Sequence, residues 1–256
     1  MLPYERQERI LAALGDKRFL KIADLLQLTD SSLTTLRRDI DQLAGSGRVR
    51  KSRGGILLAE PSAVGGVDPQ YRLRERLARE EKDRIGAAAQ RYIAEGDVIV
   101  LLNGTTARAV AEHLDPAKPV TIITNGIDIV AALRSKPNAE VILLGGVVEY
   151  AHNTLAGPLA LKSLGELHAV RLISGAGGIT AEKGVTIYPY LVAAYYPAIV
   201  RMVNEVILVA DRSKLGRNAL VQATTLDEVD AIIIDRVVPQ EYVDLFERHG
   251  VRCEQV

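Results

Sequence analysis

Over the first sixty residues, apolar positions recur at helical spacing; further on they gather into short unbroken runs, and that change of period divides the chain. Tyr4 to Leu14 predicts a helix with Ile10, Leu11 and Leu14 on one face. Lys21 to Gln27 predicts a second, with Ile22, Leu25 and Leu26 inward. In the polar turn Thr29-Asp30-Ser31-Ser32, Ser31 or Ser32 can cap the next helix by accepting backbone N–H bonds. That third helix runs to about Leu43, with Leu33, Leu36, Ile40 and Leu43 on one stripe. At about 100° per residue, Thr34, Thr35, Arg38 and Gln42 project from the opposite face and Arg37 from its flank. Gly45 and Gly47 end the helix. Arg48 to Leu58 then predicts a hairpin made of a basic strand, a turn at Gly54-Gly55 and an apolar strand. Three helices and a basic hairpin amount to a winged helix-turn-helix, placed at residues 1–59.

Glu60 to Asp68 is rich in Pro, Gly, Ser and Ala and begins a linker placed at 60–75. It runs into a charged helix, Gln70 to Ile93, containing Glu81-Lys82, which serves as a solvated linker helix or a dimer strut. From Asp97, β-branched runs alternate with helical stretches, predicting strands at Val98–Leu102, Val120–Thr124, Val141–Leu144, Arg171–Ser174, Val206–Ala210 and Ala231–Ile234. Continuously apolar strands are those covered on both faces. The fold class is therefore α/β, with residues 76–256 forming a doubly wound, mainly parallel sheet.

Composition narrows the function. The formal net charge is zero, but Arg37, Arg38, Arg48, Arg50, Lys51 and Arg53 face only Asp39 and Asp41 between Ser31 and Ala59. A recognition helix with short polar and arginine side chains suits base edges in a major groove, and a basic wing suits phosphates. The expected DNA-contacting set is Ser32, Thr34, Thr35, Arg37, Arg38, Gln42, Arg48, Arg50, Lys51 and Arg53, and the partner is a double-stranded DNA operator. The alternative for a three-helix bundle is a protein partner. Cys253 is the only cysteine, which rules out a disulfide within the chain and fits a reducing cytoplasm. No signal peptide is expected, since no cationic segment is followed by an apolar run at the start, and no membrane span, since no apolar run reaches about 18 residues. No metal site is expected because His113, His152, His168 and His249 lack ligand spacing.

Doubly wound sheets bind ligands at the carboxyl ends of their strands. There the sequence places Gly104-Thr105-Thr106, Thr124-Asn125, Gly145-Gly146, Gly175-Ala176-Gly177-Gly178 and the stretch Asp211 to Gly216. A Gly-Thr-Thr turn opening a helix offers N–H groups, hydroxyls and the positive end of the dipole to an anion. Lys214 adds a full charge. Thr180 stands where a dinucleotide fingerprint needs its third glycine, so no NAD and no other cofactor is expected. The expected effector set is Gly104, Thr105, Thr106, Thr124, Asn125, Gly145, Gly146, Gly175, Gly177, Tyr188 and Lys214, with Tyr190 or Tyr195 as further shapers of the pocket.

Thr35-Leu36-Arg37-Arg38-Asp39-Ile40, the later Gly54-Gly55 and the opening Arg6-Gln7-Glu8-Arg9-Ile10-Leu11 resemble the DeoR (deoxyribose-operon-repressor) family of transcriptional regulators. The Gly-Thr-Thr loop, the Thr-Asn turn, the Gly-Gly, Gly157 and Asp211-x-Ser213-Lys214-x-Gly216 resemble its effector domain. The resemblance implies a repressor with a domain similar to ribose-5-phosphate isomerase that binds a phosphorylated sugar or related anion, and a homodimer or homotetramer. Ser31-Ser32 departs from the family's Val-Ser at the helix entrance. Leu102 and Val170 stand where the family tends to place carboxylates, and a family Glu is missing near Tyr188 to Pro197. The anion half of the site is kept and the polyol half altered. An isomerase carrying a DNA-binding appendage is the alternative, and it needs the general base that these strand ends lack.

Overall fold

Leu36, Ile40 and Leu43 meet Ile10, Leu14, Leu25, Val49 and Ile56 in one buried cluster, the destination of the helical stripes. The computed structural model describes residues 6–7, 9–11, 13–14, 19–45, 49–52, 54–58, 69–165, 167–235 and 237–256. They form two units, Met1–Pro69 and Gln70–Val256. Of the linker placed at residues 60–75, residues 60–68 lie outside the described residues, and 69–75 are helical instead.

In the first unit, helical positions within 6–14 precede β1 (Phe19–Lys21), α1 (Ile22–Thr29), α2 (Leu33–Gly45), β2 (Val49–Ser52) and β3 (Gly55–Leu58). The strands form an antiparallel sheet in the order β1-β3-β2. Lys21, expected to start a helix, instead ends β1 opposite Gly55. A three-residue strand carries too little period to read from sequence. Leu33, expected on the buried stripe, is 41% exposed, because it opens the first turn of α2 ahead of the packed residues. A buried Arg6–Asp39 ion pair (Nε–Oδ2 2.7 Å) ties the first helical segment to α2.

In the second unit, β4 (Val98–Leu101), β5 (Val120–Thr124), β6 (Ala139–Leu143), β9 (Arg171–Gly175), β12 (Glu205–Ala210), β14 (Ala231–Ile234) and β15 (Arg252–Gln255) make a seven-stranded sheet. Its order is β15-β14-β12-β9-β4-β5-β6, with every pair parallel. Ile99 and Leu101 pack into one cluster and Val100 and Leu102 into the other, as do Ile233 and Ile232. Each strand thus feeds two cores, the physical reason its sequence is apolar without alternation. Two small antiparallel sheets went unread: β7 (Val147–Glu149) with β8 (Thr154–Ala156), and β10 (Gly178–Thr180) with β11 (Gly184–Ile187) and β13 (Val221–Thr224). The expected helix over 70–93 is instead α3 (Pro69–Arg76), α4 (Arg79–Ala89) and a 3-10 turn at Gln90–Tyr92. The break falls at Ala78, whose φ of 52° is left-handed. From β4 the chain builds outward through β5 and β6 on one side, then returns to β9 on the other. The reversal between β4 and β9 opens the crevice in which such sheets hold ligands.

Candidate functional site

A cleft open to solvent lies at the carboxyl ends of β4 and β9. From β4 come Leu102, Asn103 and Gly104, leading into the helix α5 (Thr105–Glu112). Gly104 caps that helix with φ 142°, a conformation other residues rarely adopt. The first-turn N–H groups of α5 have no partner within the helix, so they and the Thr105 and Thr106 hydroxyls supply neutral donors for an anion. Asn103 is held by a buried neighbour: its N–H donates to Asn125 Oδ1 (2.9 Å), and Asn125 Nδ2 donates to Asn103 Oδ1 (3.2 Å) and to the Tyr195 hydroxyl (2.8 Å).

From the end of β9 come Ser174, Gly175, Ala176 and Gly177. Tyr196, fully buried, also lines the cleft; Ser174 is the nearby side chain that favours its ionised form, but the two do not meet strict hydrogen-bond geometry among the described residues. Burial pushes that phenol up to about 12, so it remains a neutral donor. Lys214 enters from a 3-10 turn after β12 that Asp211 caps, accepting from Ser213 N–H at 3.0 Å. The Lys214 ammonium stands 3.9 Å from Asp211 Oδ2, close enough to be oriented but too far for a direct hydrogen bond.

The remaining wall is aromatic. Tyr188 stacks on His152 with ring centroids 6.5 Å apart, and His152 Nδ1 lies 3.0 Å from Glu149 Oε1. The Arg74 guanidinium lies 5.7 Å from the Tyr71 ring centroid and 5.9 Å from that of Tyr188. The lining holds Arg74, Lys214 and His152 and no carboxylate among the described residues.

Of the expected effector residues, Gly104, Thr105, Thr106, Gly175, Gly177, Tyr188 and Lys214 share this cleft. Thr124 and Asn125 are fully buried, and neither lines it. Gly145 and Gly146 follow the edge strand β6, two strands from the reversal, and a side chain on Gly146 would meet Ala156 O at 2.5 Å. Tyr190 and Tyr195 are also absent from the lining. Sequence reasoning missed Tyr71, Arg74, His152, Ser174 and Tyr196, none of which stands in a motif. Lys82, read as part of a solvated helix, is 5% exposed: its ammonium donates to the carbonyls of Arg74 and Leu77, closing the end of α3. Desolvation lowers its pKa.

On the first unit, Ser32, Thr34, Arg37, Arg38 and Gln42 are exposed along α2 and Thr35 is half-buried. Ser32 supplies the cap, accepting from Thr35 N–H at 3.2 Å. Gln42 is engaged internally, accepting from Gln7 at 2.7 Å. In the wing, Lys51 pairs with Asp41, and the backbone of Arg50 pairs with Leu57. Arg48, Arg53 and the side chain of Arg50 lie outside the described residues.

Residues 6–62 match the DeoR-like helix-turn-helix domain, and residues 77–236 match the DeoR C terminal sensor domain. The chain belongs to the DeoR family. Among its DeoR-family relatives is the HTH-type transcriptional repressor GlcR of Bacillus subtilis, 33% identical over 98% of this chain and 95% of that protein. Others are the HTH-type transcriptional regulator GolR of Listeria innocua (28%, 98% of each) and the glycerol-3-phosphate regulon repressor of Escherichia coli (26%, 98% of each). The chain is also similar to ribose 5-phosphate isomerase A from Methanocaldococcus jannaschii (15% identical over 54% of this chain and 55% of that one, TM-score 0.40), a likeness too distant to bear on function. As a DeoR-family chain it is a DNA-binding transcriptional regulator with a sensor domain, and among the described residues no helix is long and apolar enough to cross a membrane. Tyr71 and Arg74 fall between the two family matches.

Proposed function

We propose that this DeoR-family regulator is a cytoplasmic repressor that binds its operator through α2 and the basic wing, and that a small phosphorylated metabolite bound at the β4/β9 cleft controls it. The observation that carries this reading is a cleft at the sheet reversal lined by two cations and a helix N-terminus but no carboxylate. A phosphate needs positive charge and N–H donors, and both converge there. Relatives named for repression, one of them for a glycerol-3-phosphate regulon, support the phosphorylated class. A single winged helix offers few contacts, so paired half-sites and at least a homodimer follow. The proposed organisation is a DNA-binding domain at 1–59, a linker at 60–68 and a sensor that begins with α3 rather than at residue 76, because Tyr71 and Arg74 line its cleft.

The effector leaves unchanged in this reading, because abstraction of a carbon-bound proton needs a poised base. His152, oriented by Glu149, is the one imidazole in the cleft and would have to fill that role in an isomerase. Operator binding measured with and without glycerol 3-phosphate, alongside phosphorus NMR of the same mixture, tests both. Release from, or tightening on, the operator with an unaltered phosphate spectrum is expected for the wild type. Lys214→Ala should keep its ligand-free operator affinity and lose the response. A mutant that responds at the wild-type concentration would remove Lys214 from the site.

A further inference from the structure

α3 (Pro69–Arg76) reaches the cleft with residues that neither family match covers. Tyr71 and Arg74 stand three apart, on one face of this helix, and both line the cleft. Arg74 lies over Tyr71 of its own helix and over Tyr188 from beyond β11, so the guanidinium bridges two walls of the site. Lys214 enters from the turn after β12.

We propose that Arg74 is an effector-binding residue, and that an anion held jointly by Arg74 and Lys214 clamps α3 onto the sensor. This rests on the anion-cleft reading and extends it from binding to signalling. Lys214 belongs to a turn fixed by Asp211, whereas Arg74 belongs to a two-turn helix, too short to be stable by itself in water. The helix is held at a few points. Tyr71 donates to the buried Asp128 carboxyl, Glu75 pairs with Arg108 of α5, and the buried Lys82 ammonium takes the carbonyls of Arg74 and Leu77. A phosphate between Arg74 and Lys214 adds a charge-assisted bond to this set. Pro69 is also the boundary between the two units, so the ligand grips the segment through which the chain leaves for the DNA-binding unit. A ligand can shift the DNA-binding state only by binding one arrangement better than another. A contact on α3 bears on that condition directly, because α3 opens the second unit where the chain arrives from the first.

The test uses the full-length protein, with inorganic phosphate and glycerol 3-phosphate as probes, read by calorimetry and by amide hydrogen exchange over residues 69–78. Wild type should bind glycerol 3-phosphate, with exchange in that segment slowed. Arg74→Ala should bind at least tenfold more weakly and show no slowing at saturation. Arg74→Gln keeps the stem over the rings without the charge; it repeats the test if the alanine variant melts early. Wild-type affinity and slowing in Arg74→Gln, beside lost binding in Lys214→Ala, would overturn the role of Arg74 and leave the anion cleft standing. Binding of neither probe by the wild type at millimolar concentration would overturn both.

Discussion

The Tyr71 hydroxyl donates to the carboxyl of Asp128, a residue 6% exposed whose burial pushes its pKa from the ordinary 3.8 up to about 7. Burial outweighs the backbone donors, Ile129 N–H among them at 3.0 Å, that favour the charged form. Between those two values the folded protein holds a proton that the unfolded chain has released. Stability from this group is therefore full below pH 4, falls as pH rises toward 7 and is flat above, with a slope of up to about 1.4 kcal/mol per pH unit. Asp128→Asn should flatten that stretch of the stability profile and leave the variant more stable than wild type at pH 8. Urea unfolding from pH 4 to 8 checks this; an identical slope in both proteins would mean that Asp128 ionises freely.

Arg38 is exposed on α2 and Arg50 lies on the wing strand β2. Arg38→Ala should cost about 1–3 kcal/mol on the cognate operator and relax specificity at one base pair. Arg50→Ala should weaken all sequences alike and flatten the salt dependence by about one unit of slope. Gel-shift titrations at several salt concentrations separate the two. Normal operator binding by Arg38→Ala would show that another face of α2 enters the groove.

Gly55 is where β1 closes on β3. A side chain there would sit 2.2 Å from Leu20 O and 2.7 Å from the Phe19 ring, with backbone on one side that cannot yield. Gly55→Ala should cost the first unit about 1–3 kcal/mol, the range for forced overpacking. Gly54, with φ 85° and open space around it, should cost roughly 1–2 kcal/mol on the same change from backbone strain alone. Denaturant unfolding of the two variants should show the sensor transition unmoved.

Tyr196 buries a hydroxyl whose nearest polar side chain, Ser174, does not meet strict hydrogen-bond geometry. Tyr196→Phe should be neutral or stabilising without ligand, because an unsatisfied buried hydroxyl costs about 1–3 kcal/mol. If that hydroxyl meets the effector, the same variant should lose thermal stabilisation by glycerol 3-phosphate. Destabilisation without ligand would show that Ser174 or an ordered water satisfies the phenol.

Local chemistry determined much of this protein in advance. The stripes of Leu36, Ile40 and Leu43, the cap at Ser32 and the double glycine of the wing each act within a few residues, where period and backbone freedom are visible in sequence. The two-sided burial of β4, β9, β12 and β14 left unbroken apolar runs, and these announced a covered parallel sheet. Gly104-Thr105-Thr106 and Lys214 were legible as anion chemistry because a helix start and a charge are local facts. Only the tertiary structure decided which strand ends share a site. The sheet order puts β4 beside β9, which gathers Gly104 with Gly175 and leaves Gly145 at an edge. Spatial order depends on how the whole sheet is wound, and nothing near Gly145 carries that information. The same holds for Lys82, whose charge predicts solvent and whose position under α3 gives it two carbonyls instead. Tyr71 and Arg74 reach the cleft from one helix and Tyr196 from another, and a residue recruited by packing leaves no periodic trace in its own segment.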